Sequence, residues 1–165
     1  MKTLTVVRHA KSSWNTDDND HDRPLNERGL NAASKVGAEI MRRGLIPDRI
    51  ISSTAVRAAT TAKLIANEIS YDLSIIEYSS ELYLADISDY EKVISNTEEI
   101  SGIENLMVVS HNPGSHELCH YLVNDCDIED FITCAVARIN LEIEFWGEIN
   151  QGVGKLADFF TPHDL

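Results

Sequence analysis

Apolar residues fall in short blocks along the chain, and the blocks alternate between strand and helix spacing. Residues 4–7 are a run of strand length, followed by a polar stretch from Lys11 to Arg23 that ends at Pro24. Asn26 can cap a helix that carries Leu30, Ala33, Gly37, Ile40 and Met41 on one face, and Gly44 can close it. Residues 49–52 form a second strand, with Ser53-Thr54 as a cap. The helix after it repeats Ala55, Ala58, Ala59, Ala62, Ile65, Ala66 and Ile69 at helical spacing. Residues 73–78 are a third strand candidate, and Ser88 starts a shorter helix that runs to about Glu98. Residues 106–109 are a fourth strand. Pro113 stands where a helix running to about Val123 would begin. Near the end the period changes to two: residues 135–146 alternate like a half-buried strand, and residues 153–160 can pair with them as a hairpin.

Alternating strands and helices imply helices packed on both faces of a mainly parallel sheet, with an antiparallel portion added late. The expected fold is a three-layer α/β/α sandwich with a mixed sheet. With 165 residues and no internal repeat or low-complexity linker, residues 1–165 read as a single domain.

Composition adds exclusions. Hydrophobic residues make up 43% and charged residues 25%, the balance of a globular chain. Net charge is -13, from 14 Lys and Arg against 27 Asp and Glu, so nucleic acid and anionic membrane are not expected as partners. An anionic ligand would have to be drawn by a few local cations. Cys119, Cys126 and Cys134 form no C-x-x-C pair and read as idle thiols of a reducing compartment. No stretch resembles a signal peptide or a membrane span, so the expected location is the cytoplasm.

In open α/β sheets, working residues collect where loops leave the carboxyl ends of strands. Here the first strand exits into Arg8-His9, the second into Ser52-Ser53 with Arg57 just beyond, and the fourth into Ser110-His111-Asn112-Pro113-Gly114. Two arginines and two histidines at strand exits suit a phosphate. Arginine offers a rigid fork of donors that stays charged, and a neutral imidazole has a free ring nitrogen that can attack phosphorus near neutral pH. Arg57 and the backbone N–H groups near Asn112 would lie at helix N-termini, whose dipoles also favour an anion. Each residue alone reads as an ordinary structural His or a surface Arg; the constellation is what points to a phosphate site.

Residues 8–15, Arg-His-Ala-Lys-Ser-Ser-Trp-Asn, resemble the R-H-[GA] signature of the histidine phosphatase (phosphoglycerate mutase-like) superfamily, and in particular its short SixA-like phosphohistidine phosphatases. Residues 22–29, 52–58 and 110–114 agree with further segments of that family, in family order. The resemblance implies a phosphoglycerate mutase-like fold and a hydrolase working through a phosphohistidine enzyme intermediate. His9 is implied as the nucleophile, with Arg8, Arg57 and His111 binding the phosphoryl oxygens. Asn15 matches an Asn that touches phosphate in the mutase branch, and Asn112 is a further phosphate contact. Neither a metal nor another cofactor is called for.

The proton donor and the substrate are less directly legible. Larger family members use a carboxylate after the middle strand, where this chain has Glu81. Asp17, Asp18, Asp20 and Asp22 could supply an acid instead, although such a run also reads as a solvated loop. Only 53 residues lie between Arg57 and His111, too few for the helical cap of the larger members. An uncapped, shallow site fits a phosphorylated protein side chain, as on a histidine phosphotransfer protein. A small-molecule phosphomonoesterase of the same superfamily is the alternative. Two readings come from other classes. His116-Glu117-Leu118-Cys119-His120 matches the H-E-x-x-H zinc hydrolase pattern but has no third His nearby downstream. The same fold could also serve as a non-catalytic phosphate-binding module, but all the core residues are present. His21 and His163 are given no role.

Overall fold

In the computed structural model, which describes residues 1–97 and 102–165, strands and helices alternate until the late hairpin. The elements are β1 (Lys2–Arg8), α1 (Glu27–Arg43), β2 (Arg49–Ser53), α2 (Val56–Glu68), β3 (Glu77–Ser79), α3 (Ile87–Ser95), β4 (Asn105–Ser110), α4 (Gly114–Leu122), β5 (Val136–Leu141) and β6 (Gly154–Phe160). They build one six-stranded sheet in the order β3-β2-β4-β1-β5-β6. Pairing is parallel among β3, β2, β4 and β1, and antiparallel from β1 to β5 and from β5 to β6. The carboxyl ends of β1, β2 and β4 therefore lie side by side, and this brings the sequence-distant exits together.

The expected three layers are present. Alternate strand residues face opposite sides: Leu4, Val6, Leu106 and Val108 pack with Tyr90, Ile94, Leu118 and Leu122 of α3 and α4. Val7, Met107 and Val109 pack with Val36, Ile40, Ala62 and Ile65 of α1 and α2. Each large apolar side chain so buried contributes on the order of 1.5–3 kcal/mol before entropy is counted. Cys119 and Cys134 are buried free thiols; burial pushes both up, Cys134 to about 12, which keeps them protonated.

Several boundaries differ from the expected ones, each for a local reason. The third strand candidate begins with a 3₁₀ turn at Leu73–Ile75, because the Asp72 side chain accepts from the backbone N–H of Ser74; the strand itself is Glu77–Ser79. Ala55, not Ser53 or Thr54, is the N-cap of α2. The Ser53 hydroxyl accepts from the Ala55 N–H and also meets His111. Helix α3 starts at Ile87 behind an Asp86–Asp89 capping box and ends at Ser95; Glu98 lies outside the described residues. Strand β5 stops at Leu141, and Trp146 lies buried in a 3₁₀ turn with its indole N–H donating to the Ile103 carbonyl at 2.9 Å. Helix α1 keeps its expected cap and stop: Asn26 accepts from Gly29 N–H, and Gly44 takes a left-handed φ of 69°.

Candidate active site

Arg8 and His9 leave β1 under constraint from both sides. The Arg8 N–H donates to Ala135 O at 3.1 Å, the His9 N–H to Ser110 O at 2.9 Å, and Cys134 N–H to the carbonyls of both residues. Ala10 N–H donates to Thr61 Oγ1 at 3.0 Å, and that hydroxyl donates in turn to the Arg57 carbonyl at 2.7 Å. The turn after β1 is thereby fastened to the first turns of α2. Farther along, the start of α1 presses on the same loop: a Cβ on Gly29 would stand 2.1 Å from Lys11 O, a space that only glycine leaves open.

His9, Arg57 and His111 are all buried, and their side chains meet at a cleft of about 280 Å³ that Arg8, Arg23 and Asn112 also line. The imidazoles of His9 and His111 have centroids 5.1 Å apart. Nδ1 of His9 lies 2.7 Å from its neighbour's carbonyl, Ala10 O. Only an N–H can serve a carbonyl, so the proton sits on Nδ1 and Nε2 keeps its lone pair. Burial above all, and then the positive Arg57, Arg8 and Arg23, hold His9 down at about 4, against the opposing pull of the Ala10 bond. Burial and then the His9 ring hold His111 down at about 3. Both rings are neutral at neutral pH. Nε2 of His111 lies 2.8 Å from Ser53 Oγ, whose own proton is free to go there because the oxygen already accepts from Ala55.

Four buried polar atoms of the cleft residues have no partner among the described residues: Arg8 Nε, Arg57 Nε, His111 Nδ1 and Asn112 Oδ1. The first three are donors and Asn112 Oδ1 is an acceptor, and buried polar groups in that condition are costly unless a ligand satisfies them. Arg8 also donates from Nη1 to Phe131 O at 3.1 Å, and Asn112 Nδ2 donates to the same carbonyl at 2.8 Å, which fixes both beside the cleft.

Among the expected site residues, Arg8, His9, Arg57, His111 and Asn112 come together, and two do not. Asn15 is exposed and absent from the cleft lining. Glu81 also stays outside: its Oε1 accepts from Lys92 Nζ at 2.6 Å, in a separate depression with Arg49 and Asn96. It follows a 3-residue edge strand, and the 3₁₀ turn that carries it buries Leu82 instead.

The acidic loop is more than a solvated stretch. Asp20 accepts from Arg57 Nη2 at 3.0 Å, from Arg23 Nη2 at 3.2 Å and from the Tyr83 hydroxyl. The Tyr83 bond first, and then Arg57, hold its carboxyl down at about 2. His21, expected to be idle, fastens this loop by Nε2 to Thr54 Oγ1 at 2.9 Å and meets Tyr83 edge-on. Arg23 lines the cleft although sequence reasoning gave it no role, even within the Asp-Arg-Pro-Leu segment. It is buried, donates to Ser12 Oγ at 2.7 Å, and lies 3.6 Å from the ring of exposed Trp14.

The H-E-x-x-H segment lies on α4 away from the cleft. Nε2 of both His116 and His120 is 2.9 Å from the Ile128 carbonyl. Among the described residues, no group of three or more His, Cys, Asp or Glu side chains stands ready to hold a metal. The third ligand that a zinc hydrolase needs is not supplied there.

Comparison with known proteins settles the family. A family model described as the histidine phosphatase superfamily (branch 1) matches residues 4–99. The chain belongs to this superfamily. It is a phosphatase of the SixA-like branch. An uncharacterized protein of Mycobacterium tuberculosis is 27% identical over 165 residues, 94% of this chain and 99% of the relative. An uncharacterized chloroplastic protein of Arabidopsis thaliana is 30% identical over 130 residues, and the chain spans 59% of its length. Among solved structures, the Agrobacterium tumefaciens protein assigned as the phosphohistidine phosphatase SixA superposes with a TM-score of 0.81 at 27% identity, covering 98% of each chain. The protein histidine phosphatase SixA in complex with tungstate gives 0.83 at 20% identity, also over 98% of each, and shows the same fold.

Proposed function

We propose that the chain removes the phosphoryl group from phosphohistidine on a protein, through a covalent intermediate on His9. In the first step the free Nε2 lone pair of His9 attacks phosphorus, and the P–N bond to the substrate imidazole breaks with its electron pair leaving on the substrate ring. Arg8, Arg57 and the Nδ1–H of His111 hold the phosphoryl oxygens. As Nε2 gains its bond to phosphorus the His9 ring becomes cationic, and the Ala10 carbonyl facing Nδ1–H stabilises that charge. In the second step water adds to phosphorus, the electron pair returns to Nε2, and inorganic phosphate leaves.

The observation that carries the substrate class is the state of the carboxylates. Glu81 is paired with Lys92 outside the cleft, and Asp20 is held ionised by Tyr83 and Arg57. Neither is a protonated acid beside the leaving group, which an alkoxide would need. A phosphorylated imidazole protonated on its other ring nitrogen brings its own proton and departs neutral. Exposed Trp14 and Leu84 line the cleft as well, an apolar margin suited to a protein surface. The SixA protein that superposes on this chain is described as a protein histidine phosphatase.

The test is kcat/KM on a phosphohistidine protein, a phosphoserine peptide and a free sugar phosphate. A preference for phosphohistidine of about 10²-fold or more is expected, the size of the missing acid contribution. A preference for the free phospho-metabolite would overturn the assignment in favour of a small-molecule phosphomonoesterase.

A further inference from the structure

Cations are scarce in this chain, and most of them are already engaged. Lys2, Arg23, Arg42, Arg43, Arg49, Arg57, Lys92 and Lys155 each pair with a carboxylate. Among the described residues, those without a carboxylate partner are Arg8, Lys11, Arg28, Lys35, Lys63 and Arg138. With 27 acidic residues on the chain, unpaired cations would be expected to scatter singly. Instead Arg8, Lys11, Arg28 and Lys35 fall around one continuous depression.

That depression has two parts. Arg8 and Lys11 line the cleft with His9, and Lys11, Arg28 and Lys35 line an adjoining groove of about 310 Å³ together with His163. Lys11 and Thr133 belong to both parts and form their common wall. The groove floor is apolar, with Ala32, Ile132 and Pro162, and no acidic side chain lines it. Arg28 and Lys35 lie on α1, two turns apart and exposed, so they project from one face of a rigid helix.

We infer that this groove is a docking subsite for an acidic segment of the protein that carries the phosphohistidine. The inference rests on the phosphohistidine reading and deepens it: the cleft takes the phosphoryl group, and the groove takes Asp or Glu side chains that flank it on the substrate. The physics favours this occupant. On a molecule of net charge -13, an acidic partner is repelled everywhere except where cations stand unmatched. Charge complementarity at a rim acts on encounter rate and on register more than on affinity. The groove therefore selects among phosphoproteins without touching the chemistry.

The experiment compares two synthetic phosphohistidine peptides, one with Asp and Glu flanking the phosphohistidine and one with Asn and Gln at those places. A paired charge reversal, Arg28→Glu with Lys35→Glu, is measured beside the milder Arg28→Gln with Lys35→Gln. The wild type is expected to hydrolyse the acidic peptide with about 10-fold higher kcat/KM at low salt, an advantage that shrinks as ionic strength rises. Charge reversal is expected to erase or invert that preference and leave the neutral peptide and p-nitrophenyl phosphate within about twofold, with the Gln pair in between. The Asn/Gln peptide and p-nitrophenyl phosphate also report that the variants are folded. Equal rates on both peptides in the wild type, or an equal loss on both in the variants, would overturn the docking site. Hydrolysis of p-nitrophenyl phosphate but of neither peptide would overturn the phosphohistidine reading itself, and is told apart by the silence of the neutral peptide.

Discussion

The carboxylate of Asp20 stands 3.0 Å from Nη2 of Arg57, and the backbone carbonyl of the same aspartate accepts from Nη1 at 2.5 Å. The arginine at the head of α2 is thus oriented by an anion of the protein itself. A substrate phosphate has to share Arg57 with this carboxylate. Asp20 both positions the guanidinium and dilutes its charge. For Asp20→Asn the expected result is tighter competitive inhibition by inorganic phosphate, by about two- to fivefold, a modest gain because the carboxylate, unlike its buried arginine partner, is half-exposed to solvent. A lower kcat should accompany it, because Arg57 and Arg23 lose their common anchor. Weaker phosphate inhibition in this variant would mean that Asp20 assists anion binding rather than competing with it.

Acid should affect rate and stability in separable ways. His9 is neutral down to about 4, so the acid limb of kcat/KM that belongs to the enzyme should begin only below about 5, as Nε2 is protonated. Stability moves earlier. Unfolded histidine titrates near 6.5, whereas His9 at about 4 and His111 at about 3 stay neutral in the fold, so below 6.5 the unfolded chain binds more protons. Stability is full above about 6.5 and is lost as pH falls toward 4, by on the order of 3 kcal/mol for His9 alone. Urea midpoints at pH 7 and pH 4.5 measure this, and His9→Gln should flatten the dependence. An unchanged slope in that variant would show that His9 is not the buried neutral group.

Glu81→Gln is expected to change kcat/KM on a phosphoserine peptide, whose alkoxide leaving group needs an acid, by less than about twofold. Its partner is Lys92, both side chains are exposed, and such pairs contribute little. A loss of 10-fold or more would restore Glu81 as the proton donor and place it in the cleft during turnover.

Much of this was legible in the residues, and the failures share a cause. Asn26 and Gly44 bounded α1 correctly because capping is local chemistry that no distant contact overrides. The exits of β1, β2 and β4 could be paired in advance because parallel topology places them together. Expectations failed where a tertiary partner decides. The edge strand β3 has β2 alone as a neighbour, so Asp72 could pull its first residues into a 3₁₀ turn. Glu81 rides on a second 3₁₀ turn, Ser80–Leu82, just past that short strand, and its direction depends on Lys92 of α3, which no sequence pattern pairs with it. Asp20 stayed open between a possible acid and a solvated loop residue, because two of its partners, Arg57 and Tyr83, lie 37 and 63 residues away and only Arg23 is local. Arg23 carried a signal, a charged residue wedged before Pro24-Leu25, and that signal was read as loop.

The central claim is that the lone pair left on His9 Nε2, by the 2.7 Å contact of Nδ1 with Ala10 O, forms the bond to phosphorus. Rapid quench into alkaline denaturant during turnover of a ³²P-labelled phosphohistidine protein, followed by peptide mapping, tests it most directly. Acid-labile, base-stable label is expected on His9, and neither label nor turnover in His9→Asn, although that variant still binds phosphate. Label on another residue, or undiminished hydrolysis by His9→Asn, would contradict it.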